Sequence, residues 1–289
     1  MREFDKHIRE TARDRILALE AHINADVMLF HGPIFPSVEK QFREFIEDLK
    51  SATPKRDRIA IILNTPGGSA ETVEKLVEIV RYHYREVLFI IPDEAMSAGT
   101  IFALSGDAIY MDYTSSLGPI DPQVNNGKDW VPALGYLDQV EKMIEKSAKG
   151  TLTDAELVIL QNLDLAMLSR FEQAKNLTIT LLKKWLVEYK FKDWKIHGTN
   201  PDKIGQDVTQ AEKEQRAEEI AILLSDNKIW HSHGRKIGVR TIQNLLKLKI
   251  EDYSTNDEMR GKILAYSEFI TDYINRHDYP FFLHNRRYF

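Results

Sequence analysis

The amino-acid sequence predicts an α/β fold in which a parallel sheet is followed by a long helical region. Over residues 26–111, short apolar runs alternate with amphipathic segments, which is the pattern of right-handed βαβ units. The runs at residues 59–63 and 87–91 contain almost no polar residue, as expected of strands buried on both faces. No strand pattern follows between residues 139 and 227, so we expect a helical elaboration on an α/β core.

The composition is that of a soluble globular protein and excludes several classes. Hydrophobic residues make up 43% and charged residues 29% of the 289 residues, which excludes a disordered or fibrous chain. The formal net charge of −5 provides no overall basic surface, so nucleic acid is not an expected partner. No apolar run approaches the roughly 18 residues of a membrane span, and the chain does not start with a secretory signal pattern. The absence of cysteine excludes disulfides and thiolate chemistry, and it fits a cytoplasmic location.

The elements of the first half are predicted from apolar spacing. Apolar residues recur every four positions from Phe4 to Ile16, which predicts an amphipathic helix ending near Ala21. Residues 26–32 have the pattern of a strand, and Ser37 is the predicted N-cap of the helix that follows. The other core elements are predicted as strands at residues 58–64, 86–91 and 108–111, with helices around residues 73–80 and at residues 97–104.

The second half is predicted to be mostly helical. Residues 125–130 have the composition of a loop. The pairs Thr153/Glu156 and Thr209/Glu212 are capping-box signatures, each of which predicts the start of a helix. The helices expected here lie at about residues 133–148, 153–189, 209–224, 240–250 and 258–276.

Two turn segments carry the candidate chemistry. Asn64-Thr-Pro-Gly-Gly-Ser69 ends a buried strand, and its paired glycines let backbone N–H groups approach an anion closely. Ala95-Met-Ser-Ala-Gly-Thr100 follows the next buried strand and places Ser97 at a helix N-terminus, where the helix dipole stabilises negative charge. Ligands of parallel sheets collect at the carboxyl ends of the strands, so the two segments should be neighbours. Taken singly, each is also compatible with an ordinary turn, with Ser97 as a plain N-cap.

The two segments together resemble the Clp/crotonase superfamily, as seen in the Clp protease proteolytic subunit and the signal peptide peptidase A family. There, a proline-glycine-glycine segment supplies an oxyanion N–H and the nucleophilic serine opens a helix one βα unit later. The matching residues are Pro66-Gly67-Gly68 and Ser97-Ala98-Gly99. Leu117-Gly-Pro-Ile-Asp-Pro-Gln123 resembles the serine dehydrogenase proteinase branch, and Ser232-His-Gly-Arg-Lys-Ile237 resembles the Gly-Arg turn that closes many members. The resemblance implies a Clp/crotonase-like core with a large helical insertion and helical termini.

The resemblance also implies a serine hydrolase, foremost a peptidase acting on a peptide or protein. Ser97 would be the nucleophile, the N–H groups of Gly68 and Ala98 the oxyanion hole, and Gly67 and Ser69 substrate-binding residues. No cofactor or metal is expected. Two alternatives stay open: a crotonase-like acyl-thioester enzyme, and a catalytically silent scaffold that binds a partner protein.

The general base is not identified by the sequence. Clp peptidases have a histidine just before a Gln-Pro turn, where this chain has Asp121-Pro-Gln, so a triad of the Clp kind is not supported. Signal peptide peptidases use a lysine from the region after this turn, which makes Lys128 and Lys142 candidates. Lys142 would qualify if it pointed inward, because burial can remove the charge of a lysine. His233 is a third candidate, although its simpler interpretation is a turn histidine that hydrogen-bonds the backbone. Asp121 is expected to stabilise the turn that contains it.

We expect one domain and a homo-oligomer. The predicted parts are a core at about residues 22–138 and 228–255, a helical elaboration at about 139–227, and a C-terminal helix with an aromatic tail at 256–289. The tail either docks on its own chain or contacts a partner chain. Assembly is expected because superfamily members associate through such helical arms, and because the elaboration is rich in large aromatic residues that offer apolar surface, namely Phe171, Trp185, Phe191 and Trp194.

Overall fold

The computed structural model describes residues 3–125, 130–198 and 200–289. Its strands are β1 (Asp26–His31), β2 (Arg58–Asn64), β3 (Glu86–Ile91), β4 (Glu94–Ala95), β5 (Ala108–Met111), β6 (Ser116–Leu117), β7 (Gln123–Asn125), β8 (Trp130–Pro132), β9 (Glu251–Asp252) and β10 (Phe282–Asn285). Its α-helices are α1 (Glu3–Ile23), α2 (Glu39–Ser51), α3 (Ala70–His83), α4 (Ala98–Leu104), α5 (Ala133–Ala148), α6 (Asp154–Gln161), α7 (Leu165–Trp185), α8 (Gln210–Ser225), α9 (Asn227–Trp230), α10 (Val239–Asn244) and α11 (Asp257–Arg276).

Six strands form one mostly parallel sheet, in the order β10-β1-β2-β3-β5-β9. β1, β2, β3, β5 and β9 run parallel to one another, whereas β10 pairs with β1 in the antiparallel direction. The predicted α/β fold class and the predicted positions of β1, β2, β3 and β5 are confirmed. The antiparallel edge strand β10 was not predicted.

Each face of the sheet packs against its own hydrophobic layer. In β1, Met28 and Phe30 point into one layer and Val27 and Leu29 into the other, as the two-residue period of a strand requires. The first layer is closed by α2, α3, α4, α7 and α8, and the second by α1 and α11. Both faces are therefore buried, which explains the nearly continuous apolar runs of the central strands.

A smaller ladder runs beside the carboxyl edge of the sheet. Thr65, just after β2, bridges Ala95 in the parallel direction, and Ala95 of β4 pairs with Leu117 of β6. Leu117 in turn bridges Ile237 in the antiparallel direction. The ladder thus aligns the segments around residues 65, 95, 117 and 237, which the primary structure places far apart.

Two predictions of helix starts and stops differ from the structure. Ser37 lies within a single 3-10 turn, Pro36–Val38, and no side chain caps α2, so Ser37 is not its N-cap. The capping box of Thr153 is present, but the helix it starts ends at Gln161. Asp164 then caps α7, with its Oδ1 accepting from the N–H of Ala166 at 2.8 Å. A new cap within the chain therefore divides the predicted long helix in two.

Two further segments differ from their predictions. The ends of the predicted loop at residues 125–130 belong to β7 and β8, which pair in the antiparallel direction. Residues 126–129 lie outside the described part of the chain. The helix expected at residues 240–250 is the short α10, which ends at Asn244 before β9.

The aromatic tail docks on its own chain. β10 pairs with β1 in the register that sets Leu283 opposite Phe30. Arg286 Nη1 donates to Glu20 Oε1 and Asp26 Oδ1, both at 2.7 Å, and both carboxylates are buried. Buried carboxylates are tolerated only when they are paired, so the tail completes an ionic cluster that the core requires.

The helical elaboration packs against the core through its aromatic residues. Phe171, Trp185 and Phe191 are buried within this chain, so they do not supply the free apolar surface from which assembly was predicted. Near the amino edge of the sheet, Asp107 accepts hydrogen bonds from Arg81 Nη1 and the Val87 N–H, both at 2.7 Å, and it pairs with Lys192 of the elaboration. No helix in the described ranges is long and apolar enough to cross a membrane.

Candidate active site

Ser97 has a strained backbone at the start of a buried helix. Its φ of 53° and ψ of −118° lie outside the regions that residues with a Cβ ordinarily adopt. Such a conformation costs about 1–3 kcal/mol and persists where the surrounding structure enforces it, often at functional sites. The Ser97 side chain makes no capping hydrogen bond to α4, so the plain N-cap interpretation is not what the structure has.

The glycine turn after β2 is held in place by the segment after β1. The Ile34 N–H donates to Gly67 O and the Ser69 N–H donates to Ile34 O, each at 2.8 Å. The Gly67 N–H donates to Thr65 Oγ1 at 3.0 Å. Gly67 and Gly68 have φ values of 105° and 150°, which L side chains rarely adopt. These bonds fix the turn and occupy the polar groups on either side of the Gly68 N–H.

Two backbone N–H groups at the turns have no acceptor within the part of the chain that the structure describes. Among the hydrogen bonds of the described residues, neither the Gly68 N–H nor the Ala98 N–H is a donor. Ala98 is the first residue of α4, where the helix itself provides no acceptor. An anion held by such groups gains from both the donors and the helix dipole. Donors of this kind are what an oxyanion hole requires, and that role of Gly68 and Ala98 stays a prediction.

Ser69 has a local structural role in addition to any contact with substrate. Its Oγ accepts from the Thr72 N–H at 3.0 Å and thereby caps α3, and it lies 2.8 Å from Glu71 Oε2. Substrate binding by Ser69 and Gly67 stays a prediction.

Helix α4 is anchored to its neighbours by close contacts. Thr100 Oγ1 lies 2.8 Å from Ala95 O, to which it donates, and it accepts from the Gly118 N–H at 2.9 Å. A Cβ on Gly99 would lie 2.3 Å from Thr65 Cγ2, so only glycine lets the helix approach this closely. The contacts hold the serine turn against the 117–121 segment.

The lysine candidates for the base are not brought to the serine turn by any described contact. Lys142 is exposed on α5, in a groove that also includes Lys146 and Glu156 of the α5–α6 pair. The burial on which its prediction as a base rested is therefore absent in this chain. Lys128 lies outside the described residues.

Asp121 and His233 form a pair that the sequence did not predict. His233 Nδ1 lies 2.8 Å from Asp121 Oδ1, and Gln123 Nε2 donates to Asp121 Oδ2 at 2.9 Å. Asp121 is only 2% exposed, whereas the His233 side chain is 27% exposed. Because 112 positions separate the two residues, no local pattern could have revealed their contact.

A second histidine, His31, lies at the carboxyl edge of the sheet. It ends β1 on the α1/α11 side, since it follows Val27 and Leu29 in the strand alternation. Burial lowers the pKa of His31, and the nearby charge of Asp93 opposes that shift. The helix that Ser97 precedes packs on the other face of the sheet.

The described geometry defines a class of protein: an α/β sheet whose carboxyl edge presents a strained serine beside a glycine turn, as in ClpP-like serine hydrolases. The family model of ClpP-like SDH-type serine proteinases matches residues 2–200. The chain therefore belongs to that family.

An uncharacterized protein of Methanocaldococcus jannaschii, MJ0137, is 30% identical over 190 residues, which are 65% of this chain and 62% of that protein. A second protein of the same organism, MJ1495, is 33% identical over 147 residues, or 50% of this chain and 49% of its own length. The chain thus spans 62% and 49% of the lengths of these two curated relatives.

Two solved structures of mutants of the 1510-N membrane-bound stomatin-specific protease are similar to the chain. The first has a TM-score of 0.46 and 16% identity, covering 82% of each chain. The second, in complex with a substrate peptide, has a TM-score of 0.37 and 20% identity, covering 55% of this chain and 57% of the other.

Proposed function

We propose that the protein is a serine peptidase in which Ser97 attacks the carbonyl carbon of a peptide bond. The observation that carries the proposal is the enforced backbone conformation of Ser97 beside Gly67. Membership of a serine proteinase family supports the same activity. The substrate class is peptide or protein, and the cytoplasm stays the predicted location.

The backbone N–H groups of Gly68 and Ala98 would hold the oxygen that becomes negative. When Ser97 Oγ forms a bond to the carbonyl carbon, the carbonyl π electrons move to that oxygen. The two free N–H groups then stabilise the tetrahedral intermediate without reorganisation, which is usually the largest single contribution of such a site. The proton of Ser97 Oγ leaves to a base during the attack and passes to the leaving amine as collapse of the intermediate breaks the C–N bond. Water then attacks the acyl-enzyme, its proton returns to Ser97 Oγ through the same base, and the acid product is released.

Covalent labelling tests the proposal directly. A fluorophosphonate probe should modify Ser97, as located by mass spectrometry, and Ser97→Ala should lose the label. Ser169→Ala, at an exposed serine of α7, is the matched control and should be labelled as the wild type is. Release of peptides from an unfolded protein substrate should follow the same pattern. An unlabelled Ser97 in folded protein, across several probes, would refute the proposal.

We also propose that the chain forms homo-oligomers through the outer part of its helical elaboration. α6 has no buried residue, and apolar side chains are exposed on α5, α6 and α7, namely Ile144, Leu157, Val158, Ile159 and Leu165. Leu165 is 78% exposed. A contiguous exposed apolar patch is typical of protein interfaces, whereas single exposed apolar residues are not, and the proposal is that these side chains form such a patch. These residues, and not the aromatic ones named from the sequence, would form the contact.

A further inference from the structure

Met96, the residue before the serine, holds its thioether against Gly118. A Cβ on Gly118 would lie 2.7 Å from Met96 Cε and 3.0 Å from Met96 Sδ, so the thioether fills the space that a side chain at position 118 would take. Gly118 is in turn tied to α4, because Thr100 Oγ1 accepts from its N–H at 2.9 Å. The Met96 side chain is therefore a packing contact between the serine turn and the 117–121 segment.

The main chain of Met96 is fixed on both sides of this contact. Its N–H donates to Thr65 O at 2.9 Å, and its carbonyl oxygen accepts from the Gly99 N–H at 2.8 Å. The next residue, Ser97, has the strained φ of 53°, which persists only where the surrounding structure enforces it. The contact of Met96 with Gly118 is one of the interactions that can enforce it, and its loss would let the serine turn relax.

The Met96 side chain is accessible to small oxidants. It is partly exposed, whereas Met28 and Met111 are fully buried. The chain has no cysteine, so methionine carries all of its sulfur. When hydrogen peroxide reacts with a thioether, an S–O bond forms and the O–O bond breaks, the sulfur loses two electrons, and the peroxide is reduced to water. The product is a polar sulfoxide that is larger than the thioether by one oxygen atom.

We propose that Met96 is a modification site, at which oxidation by a peroxide to the sulfoxide inactivates Ser97. The proposal rests on the proposed peptidase function. The thioether is already in close contact with Gly118, so the added oxygen either drives the side chain away from Gly118 or moves the serine turn. Both release the strained backbone of Ser97, and a displacement of about 1 Å at a reacting group can cost about 10²-fold in rate. Reduction to the thioether would restore the contact.

The experiment measures fluorophosphonate labelling of Ser97 before and after treatment with hydrogen peroxide, while mass spectrometry locates the sulfoxides. Wild-type protein oxidised at Met96 should be labelled at least about 10-fold more slowly than the untreated protein. Met96→Leu has a similar volume and no sulfur, so peroxide should not change its labelling rate. Each variant is compared with its own untreated sample, which separates oxidation from the effect of the substitution.

The double variant Met143→Leu and Met167→Leu is the matched control, because both positions are partly exposed methionines of the helical elaboration. It keeps Met96 and should lose labelling as the wild type does. Met96→Gln, which carries a polar amide on an unbranched chain, should be labelled slowly without peroxide. Methionine sulfoxide reductases with dithiothreitol should restore labelling of the oxidised wild type, as the dithiol becomes a disulfide, the sulfoxide becomes a thioether and water is released.

The contrary results are distinct. An unchanged labelling rate in protein oxidised at Met96, or an equal loss in peroxide-treated Met96→Leu, would overturn the proposal. Sulfoxides at Met143 and Met167 with none at Met96 would do the same, as would a restored thioether without restored labelling. Loss of the circular dichroism of the folded protein on oxidation would assign the effect to stability and overturn it as well. All of these leave the peptidase standing, whereas an unlabelled Ser97 in untreated wild type would overturn the peptidase function and the role of Met96 with it.

Discussion

A Cβ on Gly67 would lie 2.8 Å from the Cβ of Ser97, closer than real Cβ atoms come to each other. The glycine turn and the serine turn are therefore in direct contact, although a whole helix and strand separate them in the chain. The same added atom would lie 2.7 Å from Met96 O. Gly67 thus makes room for the serine turn, and the N–H of Gly68 follows immediately beside it.

Removing one N–H donor should slow the labelling of Ser97. Ala98 is the first residue of α4, a position that accepts proline because the helix leaves its N–H unused. Ala98→Pro should therefore reduce the rate of Ser97 labelling by about 10²-fold or more, since it removes a donor and fills its place. Ala98→Gly keeps the N–H and is the control. Equal rates for the two variants would contradict an oxyanion role for Ala98.

The substitution Gly68→Ala should unfold or strongly destabilise the protein. From the sequence alone, an effect on catalysis greater than that on stability is expected, but the structure reverses this order. The new Cβ would lie 2.0 Å from Ile34 O, and hydrogen bonds on both sides hold Ile34 in place. We expect a loss on the order of 3 kcal/mol in the free energy of unfolding, measured by urea denaturation.

Gly261→Ala is the control for that experiment. Gly261 lies within α11, and a Cβ there meets no atom within 4 Å. This substitution should stabilise the protein by up to about 1 kcal/mol, because alanine is the better helix former. A similar loss of stability in both variants would show that the contact with Ile34 is not the cause.

Ser97→Gly should be more stable than Ser97→Ala. Glycine adopts the φ of 53° without strain, whereas alanine keeps the penalty of the Cβ. Glycine also costs conformational entropy on folding, which offsets part of this gain. The net difference between the two variants should be about 1 kcal/mol in the free energy of unfolding. Both variants lose the hydroxyl, so neither should be labelled. A more stable alanine variant would mean that the serine turn relaxes in solution.

The stability of the fold should decrease as the pH falls below about 6.5 because of His284. Burial lowers the pKa of His284 to about 3, and Tyr266 Oη lies 2.6 Å from its Nδ1. Between about pH 3 and 6.5 the unfolded chain binds a proton that the folded chain does not, so stability is lost as the pH drops. From pH 6.5 to 5 the loss should be about 2 kcal/mol.

Urea denaturation across this pH range measures the slope. The double substitution Tyr266→Phe and His284→Phe replaces both hydrogen-bonding partners by apolar rings, and the slope should flatten. An unchanged slope would assign the acid sensitivity to another group.

Assembly should depend on the exposed apolar side chains of α6 and α7. Light scattering of the wild type should give a mass that is a multiple of 33.5 kDa. Combined Val158→Glu and Leu165→Glu should reduce it to the mass of a monomer, since a buried unpaired charge is costly. Tyr82→Glu, at an exposed aromatic of α3, should leave the assembly intact. A wild-type mass of 33.5 kDa at every concentration would refute the proposal.

The central strands and several helix starts were predictable because their signals are local. Strands β2 and β3 are buried on both faces. Such strands have nearly continuous apolar sequences, whereas strands with one exposed face alternate apolar and polar residues. The capping boxes at Thr153 and Thr209 are present with both of their hydrogen bonds, because a capping box lies within four residues.

The features that the sequence did not predict depend on contacts between distant parts of the chain. β10 is a strand because β1 offers it an edge, and its own aromatic and basic sequence is equally compatible with a loop. The contact of Asp121 with His233 likewise leaves no periodicity or spacing to detect. In the candidate site, the sequence predicted that Ser97 and the glycine turn are neighbours. The exposure of Lys142 depends on how α5 packs, and the sequence does not show this.

The ionic cluster around Arg286 joins the first helix, the first strand and the last strand into one cooperative unit. Detaching β10 would leave Glu20 and Asp26 with less compensation in the interior, where Arg56 Nη1, at 3.0 and 3.3 Å, is the described guanidinium that remains. Opening of the tail should therefore be coupled to opening of the end of α1. In native-state hydrogen exchange, amides of both segments would then exchange together, at a free energy well above that of ordinary fraying.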